Sequence, residues 1–118
     1  LIMFESLLHW ARKAGYPGLV LLLDLARLVE RPPRPRGEGV YYTRMMLLDA
    51  YEVLRQMIDS TDHMEGNLAV AFADSGFVDT DTSGRGMAAY QALEYRLRDE
   101  VRGREVANPM TALVRLEP

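Results

Sequence analysis

Hydrophobic and polar positions along the chain fall into blocks of two kinds, one with helical spacing and one without any alternation. In residues 2–14, Phe4, Leu7, Leu8 and Ala11 form one stripe with Met3, Trp10 and Ala14 beside it, while Glu5, His9, Arg12 and Lys13 fall on the opposite face. This predicts an amphipathic helix with Trp10 in the core and His9 in solvent. Gly15 is placed to cap it and Pro17 to stop its continuation. Residues 40–60 form the strongest helical block, with Leu47, Tyr51, Leu54 and Ile58 recurring at i, i+4, i+7 and i+11. Met45, Met46 and Met57 read there as core filler. A third helix is predicted over residues 87–101, with Tyr90, Leu93, Leu97 and Val101 on one face and a Glu94–Arg98 pair at i, i+4.

The non-alternating blocks predict strands. Gly18-Leu-Val-Leu-Leu-Leu-Asp24 runs five aliphatic residues into one carboxylate, and residues 67–73 (Asn-Leu-Ala-Val-Ala-Phe-Ala) run into Asp74. Lack of alternation is expected of strands buried on both faces, and such strands belong to parallel sheets covered by helices. Residues 109–116 predict a final strand, 25–30 a short helix, and 61–66 and 75–86 loops. Three prolines and two glycines exclude regular structure from residues 31–39, predicting a mobile Pro/Arg-rich loop. Its Arg31, Arg34 and Arg36 fit a solvated insertion better than phosphate contacts, and composition alone weakly suggests a Pro-rich ligand for a partner domain. The order α-β-α-β-α-β with right-handed crossovers predicts an α/β fold. It has three layers and a mostly parallel sheet of about three strands with helices on its faces.

The length of 118 residues suits a single domain, and 48% hydrophobic with 26% charged residues is ordinary for a globular protein. The longest apolar run, residues 19–23, is too short to span a membrane, and no signal peptide is recognisable, so a cytoplasmic location without membrane partners is expected. With no cysteine, disulfides and thiolate metal sites are excluded. A net charge of −3 gives no general attraction to nucleic acid. The sole lysine is Lys13, followed by Ala14 inside a helical pattern, so the chain has no Gly-x-x-x-x-Gly-Lys-Ser/Thr phosphate loop. The start at Leu1 without an initiator methionine suggests a piece of something longer.

Candidate chemistry gathers where the strands end. Open α/β sheets place their sites at the carboxyl ends of strands, so Asp24 and Asp74/Ser75 share one edge if their strands are adjacent. A strand running into Asp fits a Mg²⁺-organising acid and also a plain Asp turn. The segment Asp79-Thr-Asp81-Thr-Ser83-Gly84 has calcium-loop spacing at its first six positions, but Tyr90 stands where a bidentate Glu is required, which favours a polar turn. A receiver-type phosphoacceptor domain is excluded by the lone Lys13, and no Ser-His-Asp grouping is supported by His9 and His63.

Several phrases taken together carry a family resemblance: residues 15–24 (Gly-Tyr-Pro-Gly-Leu-Val-Leu-Leu-Leu-Asp), residues 50–59 (Ala-Tyr-Glu-Val-Leu-Arg-Gln-Met-Ile-Asp), residues 67–73, residues 90–97 (Tyr-Gln-Ala-Leu-Glu-Tyr-Arg-Leu) and Asn108-Pro109. In that order and spacing the chain resembles the P-loop, AAA+-like ATP-binding proteins of BREX and phage-growth-limitation defence systems. The resemblance implies the C-terminal part of an ATPase domain, lacking Walker A. It makes Asp24 the Walker B acid and Mg²⁺ ligand, Asp74 or Ser75 the nucleotide-sensing position, and Arg96 a candidate arginine finger or a helix-surface residue. It implies ATP and Mg²⁺ in a full-length parent and none bound by this chain alone. Implied partners are other defence-system proteins or further copies; nucleic acid is left open for the parent and is unsupported by this chain's charge. Two positions depart from the family pattern: Leu25 replaces a catalytic Glu, and Asp74-Ser75-Gly76 replaces Gly-Thr-Pro. Hydrolysis by this chain alone is therefore not expected, and the alternative is a degenerate, non-hydrolysing assembly domain.

Overall fold

A computed structural model describes residues 1–30, 41–78, 84–97, 112–114 and 116. Its elements are α1 (Ile2–Lys13), β1 (Leu19–Asp24), α2 (Ala26–Val29), α3 (Arg44–Asp59), β2 (Asn67–Phe72), α4 (Ser75–Val78) and α5 (Gln91–Leu97), with 3-10 turns at Thr61–His63 and Met87–Ala89.

Local chemistry accounts for the boundaries. Gly15 adopts φ +98° just after α1, while the Gly15 amide donates to Arg12 O and the Tyr16 amide to Ala11 O, which is the two-bond closure of a Schellman motif. At the other end of the first crossover, a side chain on Gly18 would lie 2.1 Å from Gly66 O, so only glycine lets β1 begin beside β2. The Leu19 amide donates to Gly66 O at 2.7 Å. The long helix starts four residues later than its periodicity suggests. Thr43 Oγ1 accepts from the Met46 amide at 3.3 Å and caps it, leaving residues 41–43 outside the helix.

The two strands run parallel and in register from Leu19 beside Asn67 to Asp24 beside Phe72. The core lies among the helices. Leu25, Leu28, Leu47, Tyr51, Phe77, Met87, Leu93 and Leu97 form one buried cluster, and the Tyr51 and Phe77 rings meet edge to face with centroids 5.6 Å apart.

Several expectations need correction. β1 alternates after all: Leu19, Leu21 and Leu23 are half-buried, while Val20 and Leu22 are 61% and 63% exposed. Leu68, beside Val20 in register, and Phe72, beside Asp24, are exposed as well. Among the described residues no element covers that face, so apolar composition by itself did not mean two-sided burial. Trp10, Met45 and Met46 are exposed rather than core, and of the three methionines only Met57 is buried. Residues 75–86 are not all loop, since α4 falls within them. The predicted third helix is broken by Tyr90, whose extended backbone separates the Met87–Ala89 turn from α5. The architecture is α/β with a parallel pair of strands. Of the expected last strand, residues 112–114 and 116 are described and form none, while its remaining residues, the 31–39 loop, Arg98 and all but Gly84 of the candidate calcium loop lie outside the described residues.

Candidate functional site

The parallel register fixes what meets at the carboxyl edge of the sheet. Asp24 is the last residue of β1, and the ladder extends one step beyond it where the Leu25 amide donates to Phe72 O at 2.9 Å. Asp24 is exposed, and its Oδ1 accepts from the Ala26 amide at 3.0 Å, tying the carboxylate to the first turn of α2. Leu25, by contrast, is buried at 5% exposure.

Asp74 stands two residues beyond the end of β2, and its carbonyl accepts from the Phe77 amide at 3.1 Å, opening α4. Asp74 and Ser75 are both exposed. Close contact joins the two turns: a side chain on Gly76 would lie 3.1 Å from Asp74 Oδ1 and 3.4 Å from Val29 Cγ1 of α2. Asp24 and Asp74–Ser75 therefore end adjacent strands at one edge, and the helices that follow them touch.

Arg96 sits elsewhere, on α5, in a seam of charged groups against α3. Its Nε and Nη2 donate to Asp59 Oδ1 and Oδ2 at 2.5 and 2.8 Å, and Nη1 donates to Ala92 O at 2.6 Å. The same seam holds Arg55, which bonds Glu52 and Asp59, and the Tyr90 hydroxyl, which donates to Glu52. The Arg55 guanidinium, with help from Tyr90 and Gln56, holds the Glu52 carboxyl far below the usual carboxylate range. Arg96 lowers Asp59, and the hydrogen bond to Glu52 raises the Tyr90 hydroxyl. The seam locks α5 to α3.

Periodicity gave no sign of Arg85, the one buried charged side chain among the described residues. Its Nε donates to Leu28 O at 3.1 Å and its Nη2 to Tyr42 O at 2.7 Å, while its own carbonyl accepts from the Tyr51 hydroxyl. Only its setting between Gly84 and Gly86 marks it in the sequence.

This arrangement defines an α/β protein with a parallel sheet whose adjacent strands both run into exposed acids at the edge where such sheets bind ligands. More particularly, the chain belongs to the family described as BREX system ATP-binding protein BrxC/D, which it matches over residues 1–118, in keeping with the BREX resemblance read from its phrases. No curated protein and no solved structure matches it. No helix among the described residues is long and apolar enough to cross a membrane.

Whether these residues suit ATP and Mg²⁺ divides in two. Mg²⁺ is held by one or two carboxylates together with water and substrate phosphates, and the acids at the strand edge are of that kind. No group of three or more metal-ligating side chains occurs among the described residues. The sequence contains no Gly-x-x-x-x-Gly-Lys-Ser/Thr phosphate loop.

Proposed function

We infer that this chain supplies the Walker B and sensor strands of an AAA+-like, P-loop ATP-binding domain in a BREX phage-defence protein. The phosphate-cradling part lies outside its 118 residues. The observation that carries this reading is the in-register pairing of β1 and β2, which sets Asp24 and Asp74–Ser75 on one sheet edge. In this reading Asp24 would ligate Mg²⁺, Asp74 or Ser75 stands at the nucleotide-sensing position, and Arg96 serves the nucleotide only in an assembly that releases it from Asp59. Bound Mg²⁺ neutralises charge on the phosphates. Asp24 orients the ion, and the buried α2–α5 core holds Asp24 in place. Such a domain works in the cytoplasm with other defence-system proteins or further copies of itself.

Calorimetric titration with Mg-ATP is the test. This chain should bind no tighter than millimolar, whereas a protein that joins it to a phosphate loop should bind at least about tenfold tighter with Mg²⁺ than without it. Loss of that Mg²⁺ dependence in Asp24→Asn supports the assignment, and sub-micromolar binding by these 118 residues rejects it.

A second reading, a non-hydrolysing assembly domain, is favoured by Leu25. The position at which a catalytic Glu is expected carries a buried aliphatic side chain that belongs to the core. ATP turnover that disappears in Asp24→Ala argues against that reading.

A further inference from the structure

Arg85 and Gly86 touch the turns that follow both strands, and nothing read from the sequence assigns them a role. Burying a guanidinium is costly unless its donors are satisfied, and a rigid planar fork is suited to holding carbonyls from distant parts of a chain. Arg85 is 7% exposed and uses its fork in this way, donating to Leu28 O of α2 and to Tyr42 O just before α3. The Tyr51 hydroxyl fixes the Arg85 carbonyl to α3. Gly86 lies so close to α4 that a side chain there would stand 2.8 Å from both Gly76 O and Phe77 O.

α2 follows Asp24 and α4 follows Asp74, so Arg85 bonds the helix after the first acid while Gly86 lies against the helix after the second. We propose that Arg85-Gly86 is the positioning element of the strand-edge site. It holds α2 and α4 together and thereby sets where Asp24 stands relative to Asp74. Arg85 acts through α2, whose outgoing carbonyl it binds while Asp24 accepts the incoming amide. That the positioned acids serve a Mg-nucleotide rests on the reading given above.

The test needs no nucleotide, so its failure is distinct from the failure of that reading. Amide hydrogen exchange is followed by NMR in the wild-type chain, Arg85→Met and Arg85→Lys. Arg85→Met should speed exchange of the Ala26 and Phe77 amides about tenfold while the Leu19 amide in the sheet keeps its wild-type rate. Arg85→Lys, with the charge but not the fork, should restore only part of the protection. Unchanged Ala26 exchange in Arg85→Met overturns the proposal. So does an equal rise at all amides, which marks a merely structural residue. If Arg85→Met does not fold, thermal unfolding of Arg85→Lys, Asp24→Ala and the double variant decides: a shift in Tm smaller than the sum of the single shifts supports positioning, and additive shifts overturn it.

Discussion

Asp24 ends β1 and accepts the first amide of α2 through its carboxylate, so its replacement tests a backbone contact before it tests any ligand. Asp24→Ala should cost about 1 kcal/mol in urea unfolding, with Asn recovering most of it, because an amide oxygen accepts the Ala26 amide nearly as well. Equal losses for Ala and Asn would show that the charge, and not the hydrogen bond, matters to stability. Tyr51→Phe removes a buried donor from the Arg85 carbonyl and should cost about 1–2 kcal/mol, measured the same way. Gly86→Ala forces a methyl group against two carbonyl oxygens at 2.8 Å and should cost roughly 1–3 kcal/mol. A Gly86→Ala variant as stable as wild type would show that the close approach relaxes freely. The acids and the Leu25 substitution were legible in the sequence, because a strand's end can be read from its composition. Arg85 was not, since a buried arginine whose partners lie 57 and 43 residues away leaves no periodic trace.

At the level of elements, α5 is locked to α3 by the charged seam as well as by Leu93 and Leu97. A carboxyl held below its ordinary value adds stability when ionised. That contribution is complete above the ordinary carboxyl range and is given up as pH falls from about 4 toward the lowered folded-state value. Asp59 and Glu52 are both of this kind, the first through Arg96 and the second through Arg55. Thermal melting should therefore drop as the pH falls from 5 toward 2, and Asp59→Asn should flatten that drop while lowering Tm slightly at pH 7. An Asp59→Asn profile parallel to wild type would show that the seam contributes nothing to the pH response. At neutral pH the loss should be small, because the side chains in the pair remain a third or more exposed and water screens them. The helix periods were legible, and Leu47, Tyr51, Leu93 and Leu97 are buried as their spacing requires. The helix boundaries depended on the Thr43 cap and the extended Tyr90, which are local bonds and angles rather than patterns.

Across the whole molecule, the face of the sheet bearing Val20, Leu22, Leu68 and Phe72 stands uncovered among the described residues. Leu22→Gln should then change stability by less than about 0.5 kcal/mol, as at an exposed position. The same substitution should reduce concentration-dependent self-association, followed by light scattering, because exposed apolar patches promote association. A larger stability loss would mean that Leu22 is buried in solution.

The sequence by itself determined the run of elements from α1 to β2, the pairing of each apolar strand with a nearby Asp, the absence of a phosphate loop and the family. All of these are written in local composition and spacing. Tertiary structure decided the rest. Parallel pairing in register, permitted by the Gly18–Gly66 approach, brought Asp24 and Asp74 to one edge. Packing of the helices on one another, rather than on both faces of the sheet, left Val20 and Leu22 exposed despite their apolar character. Arg96 found its partner in Asp59, and Arg85 its partners in α2 and before α3, through contacts between residues far apart in the chain. Such contacts depend on distances in space, which neither period nor composition records.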